Sequence, residues 1–538
     1  MDRREFFAGT KKRTPAFHRA LATGLSPYAG PWTPNEVAHL LKRTLFGARK
    51  QDMDHFLSMS PSAAVDELLN TLPVNSSPLR DYGLIEDESG VMHDDLGVAQ
   101  GQSWVNDLNT LSDPGVRGSI NRLRTQSLLK WWTGMILNQN RSIAEKMVLF
   151  WHHHFSVQME EVGNATMLWR HHKIFRDTPL GSVKQLVRDV TIDPAMLFHL
   201  NGYLNSKLAP DENYARELQE LFTVGRGPGS GYTENDVMEA ARVLTGWRID
   251  SNTLLSYLDN GAHDTGTKTF SSFYNQASIS NGGAAEVDAL VSMIFNTTEA
   301  ARFICRKLYK WFVYYQIDES TENDVIIPMA ELLRSNDFAI KPVLEALLKS
   351  EHFFDPLNQA CYIKNPFDIV AGAIREFNVP VPAISDWQNG YPFFDTVYGT
   401  TAGMQQELFQ PPDVSGWPSY YQEPMYYELW VNSNSLPRRA RFTDQLADDN
   451  LIDLQAFARY SSNPADPDQL ILDMTALLLR YPLSLSSRNY TRNRFLLNNT
   501  TDPSVWTNTW NSGNNAMIDS ALKELFKFIM NLPEYHLC

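Results

Sequence analysis

Hydrophobic residues recur at helical spacing along most of the chain, and this pattern predicts a mainly helical protein. The clearest helix begins after Thr33, with Pro34 in the first turn, apolar residues at i, i+3 and i+4, and Gly47 as the stop signal. The same periodicity predicts further helices at about 61–71, 121–139, 141–155, 165–177, 182–191, 211–224, 233–246, 286–296, 298–315, 322–335, 341–351, 366–377, 434–447, 467–480 and 516–531.

One segment departs from helical spacing. Between about 248 and 283, Tyr, Phe, Ser, Thr and Asn alternate loosely around several glycines, which is typical of short strands. Two polar stretches, near 74–118 and 484–515, have the composition of loops. We therefore expect an all-α fold, a large irregular multi-helix assembly with a small β-like insertion near 248–283, in one mainly helical body over 33–538.

The composition and net charge of the chain exclude several classes of protein and of partner. The chain has 538 residues, of which 43% are hydrophobic and 20% charged, as in ordinary globular proteins. Its net charge of −15 argues against sequence-independent binding to a phosphate backbone, so we expect no nucleic-acid partner. No stretch approaches the ~20 apolar residues of a membrane span, so we expect no integral membrane association. The three cysteines are too widely spaced for a disulfide framework or a cysteine zinc site.

The N-terminus is basic. Residues 1–50 carry ten Lys or Arg against three Asp or Glu, and the pair Arg3-Arg4 resembles a twin-arginine export motif. Lys11 and the charged residues after it interrupt the place where a signal peptide needs an apolar core. Residues 1–32 are thus expected to be a basic arm or a degenerate export signal. The missing core favours a cytoplasmic location, with a periplasmic or exported one as the alternative.

Histidines are concentrated in one part of the chain. Six of the thirteen lie between residues 152 and 199, beginning with the block Phe150–Phe155. On an ideal helix His152 and His154 diverge by about 200°, so they share an ion only where the helix ends. Two interpretations stay open: a metal or acid–base role, or a helix end where the imidazoles cap carbonyls and pack beside Trp151.

A second group of polar residues lies on a predicted helix. Asn213, Glu217 and Glu220 fall at i, i+4 and i+7 on one stripe. Carboxylates at i and i+3 suit a metal site in a helical body, because their oxygens can point at a common ion. The alternative is a solvated acidic face, or ion pairs with Arg216 or Arg242.

His263 and Asp264 lie together in the glycine-containing β-like insertion. This pair can ligate a metal or orient an imidazole for proton transfer, although an aspartate that stabilises a turn is equally consistent with it. The glycines of 225–231 lack the Lys-Ser/Thr of a P-loop. Neither a Gly-x-Ser-x-Gly elbow nor a His-Glu-x-x-His helix is present.

Taken together, these blocks resemble the bacterial domain-of-unknown-function family 1800. The resemblance implies a mainly helical bacterial protein of unestablished activity, often exported and often encoded beside a sulfatase-like partner. The family usually has Trp-His-Asn-His where this chain has His153, so His152 and His154 are the matching positions and His153 is the less expected participant. The blocks that carry the resemblance are His39–Gly47, Phe150–Phe155, Glu212–Gly225, Gly231–Val237, Leu244–Trp247, His263–Asp264 and Gln410–Pro418.

The first functional hypothesis is a metal-assisted hydrolase acting on an envelope or extracellular polymer. It requires that side chains from separate blocks meet in one pocket and hold a divalent metal, which would activate a water molecule. The expected metal ligands are His152, His154 and Glu217, the expected acid–base groups are Glu220, His263 and Asp264, and Asn213, Trp151 and Arg216 complete the site.

Two rival hypotheses come from other classes. A non-catalytic scaffold or binding protein would use the same polar residues as a buried network and work with the sulfatase-like partner. A carbohydrate-binding module would need aromatic rings on one accessible surface. The tryptophans considered for that surface are Trp417, Trp430, Trp506 and Trp510.

Overall fold

The computed structural model describes residues 24–87, 89–95, 97–109, 113–417 and 430–538. Most of the expected arm, residues 1–23, lies outside the described residues. The described chain is mainly helical, as expected. The N-terminal part contains α1 (Pro34–Thr44), α2 (Lys50–Leu57), α3 (Pro61–Asn70), α4 (Pro114–Leu137), α5 (Ala144–His154), α6 (Met159–Val162), α7 (Ala165–Asp177), α8 (Val183–Thr191) and α9 (Pro194–His199).

The middle of the chain carries the candidate functional segments. It contains α10 (Glu212–Glu217), a π-helix (Leu218–Thr223), α11 (Glu234–Val243), α12 (Ala285–Asn296), α13 (Thr298–Phe312), α14 (Glu319–Thr321), a second π-helix (Glu322–Ile326), α15 (Ile327–Ser335), α16 (Ile340–Leu348) and α17 (Glu351–Phe354). A capping box formed by Thr233 and Asp236 fixes the start of α11, in the segment where the apolar spacing predicts a helix.

The C-terminal part consists of α18 (Pro366–Glu376), α19 (Trp387–Gly403), α20 (Ser435–Asp448), α21 (Leu454–Ala458), α22 (Pro467–Leu478), α23 (Leu485–Thr491), a π-helix (Arg492–Leu496), α24 (Ser504–Asn511) and α25 (Asn515–Met530). Short 3-10 turns occupy Gly202–Leu204, Ser272–Tyr274, Pro356–Asn358 and Pro533–His536. The polar stretch 484–515 therefore contains two helices and a π-helix rather than one continuous loop.

Strands in the described residues form two-stranded antiparallel hairpins. The insertion expected near 248–283 is present as two of them, in which Trp247 pairs with Leu258 and Lys268 with Ile279. The hairpins are β1–β2 (Ile85–Glu86, Met92–His93), β3–β4 (Trp247–Ile249, Ser256–Leu258) and β5–β6 (Lys268–Thr269, Ser278–Ile279).

One contiguous apolar core runs from Val37 in α1 to the C-terminal Cys538. The polar stretch 74–118 is fastened to this body by Arg124 of α4, whose buried guanidinium pairs with Asp95 at 2.7 Å and Asp107 at 2.6 Å. None of the described helices combines the length and hydrophobicity needed to cross a membrane.

Candidate functional site

The C-terminal end of α5 places three consecutive histidines at the junction of several elements. His152 is fully buried, and its Nε2 accepts the backbone N–H of Phe409 at 3.0 Å. Its ring packs edge-on against Trp132, with ring centroids 4.9 Å apart. Burial lowers the pKa of His152 well below its usual value, so the ring is neutral and its proton is on Nδ1. The lone pair that a metal would need already accepts a hydrogen bond.

His154 joins α5 to the π-helix at Leu218–Thr223. Its Nε2 lies 3.0 Å from the carbonyl oxygen of Phe222 and therefore donates to it. Burial among aromatic rings lowers the pKa of His154 well below its usual value. Its Nδ1 has no hydrogen-bond partner in the described chain. This imidazole ties two elements together and keeps one lone pair uncommitted.

His153, the residue given the smaller role from the sequence, contacts the Gln410–Pro418 block. Its Nδ1 accepts the backbone N–H of Trp417 at 3.2 Å. Its ring stacks between the rings of Trp311 and Trp417, at centroid distances of 5.9 and 6.1 Å. Gly416 has a φ of +94°, and a Cβ at that position would overlap with His153. His153 thus holds the loop that carries Asp413.

The Glu212–Gly225 block forms α10 and the π-helix that follows it. Val224 donates its backbone N–H to the carbonyl of Gln219 at 2.8 Å, which is the wider i+5 spacing of a π-helix. Gly225 then ends the helix at a φ of +84°, and a Cβ there would lie 2.6 Å from the Phe303 ring. π-Helical segments are frequent at functional sites, and this one positions Glu220.

Three carboxylates lie close enough for their charges to interact, and we call Glu217, Glu220 and Asp413 the carboxylate cluster. Glu217 is half-buried and has no hydrogen-bond partner among the described residues. Burial, with the charges of Glu220 and Asp413, raises its pKa to about 6 against the opposing charges of Arg216 and Arg226. Glu220 is nearly buried but has a cationic partner, since Arg226 Nη1 lies 3.3 Å from its Oε1.

A neutral donor and a fixed turn complete the surroundings of the cluster. Burial and the charge of Glu220 raise the pKa of Tyr232 to about 12, so its phenol is protonated at neutral pH. Asp413 is held by a tight turn, because its carbonyl accepts the N–H of Gly416 at 3.1 Å and its side chain accepts the N–H of Ser415 at 2.8 Å.

His263 and Asp264 lie elsewhere. Buried His263 donates from Nδ1 to the Thr245 carbonyl at 2.8 Å, and its Nε2 lies 2.9 Å from Glu286. Asp264 binds Arg242 through both carboxylate oxygens, at 2.8 and 3.2 Å. The hydrogen-bond partners of this pair lie within residues 242–286, so the structure does not bring it together with the carboxylate cluster.

The remaining predicted residues have local contacts. Asn213 donates to the carbonyl of Leu200 at 3.3 Å, and Trp151 donates its indole N–H to the carbonyl of Pro179 at 2.9 Å. Arg216 pairs with Glu212 at 3.0 Å and, at 2.7 Å, with the exposed Glu234 of α11. The charge of Arg216 also acts on Glu217. Of these residues, Arg216 alone is coupled to the carboxylate cluster.

The positions of these side chains bear on the expected metal site and on the expected sugar-binding surface. Across the described ranges, no three His, Cys, Asp or Glu side chains are grouped so that they could hold a metal ion. The divalent metal stays a prediction. Trp417, Trp430 and Trp506 are buried, with exposed fractions of 4, 5 and 0%, so their faces are not available for stacking on a sugar.

Sequence reasoning did not assign roles to Asp413, Arg226 or Tyr232. Asp413 stands in the Gln410–Pro418 block that carries part of the family resemblance, but spacing along the chain cannot show that its charge acts on Glu217. Arg226 and Tyr232 flank the glycine turn that follows the π-helix, and their nearness to Glu220 was the available signal.

These observations define a mainly helical protein whose candidate site is a carboxylate cluster at the junction between an α-helix and a π-helix. The chain belongs to the family described as "Protein of unknown function (DUF1800)", whose model matches residues 39–537. Neither a curated protein nor a solved structure matches the chain.

Proposed function

We propose that the protein is a hydrolase that uses the carboxylate cluster for acid–base catalysis on an envelope or extracellular polymer. The observation that carries the proposal is the contrast between two carboxylates three residues apart. Glu217 is half-buried without a hydrogen-bond partner in the described chain, whereas Glu220 has Arg226 at 3.3 Å. Carboxylates in such unequal environments are suited to opposite roles in proton transfer.

The environment of each carboxylate indicates its role in proton transfer. Glu217, whose pKa is raised to about 6, supplies the proton to the leaving-group oxygen. Glu220 accepts the proton of the attacking water, and Arg226 stabilises its negative charge. Tyr232 is a neutral donor for a substrate oxygen. At the end of the reaction the two carboxyl groups have exchanged their protonation states, and solvent restores them.

A metal-assisted form of the same chemistry is also proposed. Carboxylate oxygens are the ligands that hard divalent cations prefer, and Glu217 has no hydrogen-bond partner in the described chain to compete with an ion. His154 keeps an uncommitted Nδ1, whereas the only lone pair of His152 is occupied. In this form the ion would lower the pKa of a bound water and Glu220 would take its proton.

The second candidate function is a scaffold that works with a sulfatase-like partner, as the family resemblance implies. The observation that favours it is the burial of His152, His154 and His263, each of which is hydrogen-bonded to another element. Such networks fix the arrangement of helices without performing chemistry. The net charge of −15 supports the proposal that nucleic acid is not a partner.

The test compares isosteric variants on purified polymers. Glu217→Gln and Glu220→Gln are assayed on peptidoglycan, polyuronates and sulfated polysaccharides for newly released ends. We expect each variant to lose about 100-fold or more in rate, because each removes a proton-transfer group. The matched control is Glu212→Gln, which changes a carboxylate of the same helix that pairs with Arg216.

Repeating the assay with the chelator EDTA distinguishes the purely acid–base form of the proposal from the metal-assisted form. If EDTA abolishes activity and one divalent ion restores it, the metal-assisted form is supported. If EDTA has no effect, the purely acid–base form is supported. Full activity in Glu217→Gln would contradict both forms, and an unmodified chain that releases no ends from any of these polymers would leave the scaffold.

A further inference from the structure

A polar groove of about 790 Å³ lies away from the carboxylate cluster, between the loop at 73–77 and one face of α7. One wall consists of this loop together with residues 105 and 106. The other wall is α7 from Trp169 to Asp177. The volume falls within the roughly 300–1,000 Å³ of sites that bind small organic ligands.

The loop wall offers neutral hydrogen-bonding groups. Asn75, Ser76, Ser77 and Asn106 line the groove, and their side chains make no hydrogen bond to other described residues. An amide carries both donors and an acceptor, and a hydroxyl is donor and acceptor at once. A row of such groups matches the adjacent hydroxyls of a sugar, each of which also donates and accepts.

The helix wall adds an apolar edge. Trp169 lines the groove but is buried, with only 7% of its surface exposed. The ring is fixed edge-to-face against Trp131, with centroids 5.2 Å apart. This buried pair of rings makes the helix wall rigid behind the polar groups of the groove.

The three cationic side chains of α7 that line the groove differ in whether a carboxylate pairs with them. Arg176 is held by a bidentate pair with Glu145 at 2.6 and 2.8 Å, and Lys173 pairs with Asp177 at 2.5 Å. Arg170 has no carboxylate within ion-pair distance among the described residues. Arg170 can therefore form a bidentate pair with a single carboxylate of a ligand.

Arg170 is also held in place by the backbone. Its Nη1 donates to the carbonyls of Thr253 at 2.9 Å and Leu254 at 2.7 Å, at the turn between β3 and β4. The guanidinium has five N–H donors in a rigid plane, so Nε and Nη2 keep their donors for a ligand.

We infer that this groove binds an acidic oligosaccharide, with one uronate carboxylate on Arg170 and sugar hydroxyls on the loop wall formed by Asn75, Ser76, Ser77 and Asn106. The inference goes beyond the proposed hydrolase and does not depend on it, because binding is measured without turnover. It also differs from the earlier tryptophan hypothesis, since none of the four rings considered there lines the groove.

Calorimetric titration tests the inference with tetragalacturonate as the probe, in the full chain carrying Glu217→Gln so that the proposed hydrolysis is blocked. Maltotetraose serves as the neutral sugar and an oligothymidylate as the phosphate polymer. We expect tetragalacturonate to bind at least about tenfold more tightly than maltotetraose, with affinity that falls as salt is added. Arg170→Gln should weaken tetragalacturonate binding about tenfold or more and leave maltotetraose unchanged.

Two further variants distinguish a change in ligand binding from a change in folding. The double variant Ser76→Ala with Ser77→Ala breaks no hydrogen bond among the described residues, and it should weaken both sugars several-fold. Lys50→Gln is the matched charge control, because Lys50 pairs with Asp54 at i and i+4 outside the groove. It should bind like the unmodified chain.

Three results would overturn the inference. They are the absence of tetragalacturonate binding at millimolar concentration, an affinity unchanged by both groove variants, and tighter binding of the oligothymidylate through Arg170. Because no outcome involves hydrolysis, failure here leaves the hydrolase proposal standing, and loss of hydrolase activity leaves this one.

Discussion

Glu217 and Glu220 are separated by less than one helical turn, yet their environments differ because the α-helix gives way to a π-helix between them. The wider turn keeps Glu220 beside Arg226, on the segment that leads into Gly225. Glu217 faces the charge of Asp413 from a distant part of the chain. The protonation of Glu217 therefore depends on a loop that local sequence does not identify.

Replacing Asp413 tests this dependence at a single residue. Asp413→Asn keeps the shape and removes one negative charge, so the pKa of Glu217 should fall from about 6 toward its ordinary value. The measurement is the pH dependence of carbodiimide coupling at Glu217, read by peptide mass spectrometry, because protonated carboxyl groups are the ones that couple. The exposed Asp519 provides the control variant Asp519→Asn. An unchanged midpoint in Asp413→Asn would show that the two carboxylates do not interact.

Elements with strong local signals could be predicted. The α7 helix begins and ends where the apolar spacing predicts, because Asn164 caps its first turn and its buried positions recur on one face. The 17-residue α19 was not predicted, since Gly390 and Pro392 weaken its helical pattern. It forms because it packs on α4, where Phe394 closes over Gly134. Tertiary contact overrides local propensity there.

The residues of the candidate site also differ in whether the sequence could predict their contacts. The polar stripe of the helix predicted at 211–224 identified Glu217 and Glu220, because helical spacing places them together. The pairing with Asp413 is a contact between distant segments, and no periodicity encodes it. His263 and Asp264 were grouped with the site by residue type alone, but their hydrogen bonds are made near the insertion. The residue type shows which chemistry a side chain can perform, but its position relative to the other site residues depends on the fold.

The π-helix and its terminal glycine can be tested as an element. Gly225→Ala would force a left-handed φ of +84° on alanine and bring its Cβ within 2.6 Å of Phe303. We expect a loss of about 1–3 kcal/mol in the free energy of unfolding, measured by urea denaturation. Gly227→Ala is the matched control in the same turn, because nothing lies within 4 Å of a Cβ there. Equal stability of the two variants would contradict the strain argument.

At the scale of the whole molecule, the continuous core encloses titratable groups as well as apolar ones. Burial keeps several imidazoles neutral, because a charged ring would lose its hydration. The pKa of each is lowered, to about 3 for three of them and well below the usual value for the rest. The first three are His39, His153 and His536, and the others are His152, His154 and His172.

This burial predicts a steep loss of stability in mild acid. Below pH 6.5 the unfolded chain binds protons on these histidines while the folded chain does not, so the free energy of unfolding falls with pH. Each histidine contributes a slope that rises to about 1.4 kcal/mol per pH unit once the pH is well below 6.5. Glu217 acts in the opposite sense, because its folded pKa of about 6 exceeds its ordinary value of 4.5. Above pH 6.5 the histidines are neutral in both states and contribute no slope.

Urea denaturation between pH 7 and 5 measures the effect, with His39→Gln as the informative variant. The glutamine amide would still donate to the carbonyl of Phe353, which His39 Nε2 contacts at 3.1 Å, but it cannot titrate. The variant should therefore lose stability less steeply than the unmodified chain, by a difference that approaches about 1.4 kcal/mol per pH unit near pH 5. The lysines with depressed pKa values, Lys42 and Lys307 at about 7, have bound their protons in both states below that pH and add little slope. A free energy of unfolding that stays constant down to pH 5 would mean that the buried imidazoles accept protons without opening the core.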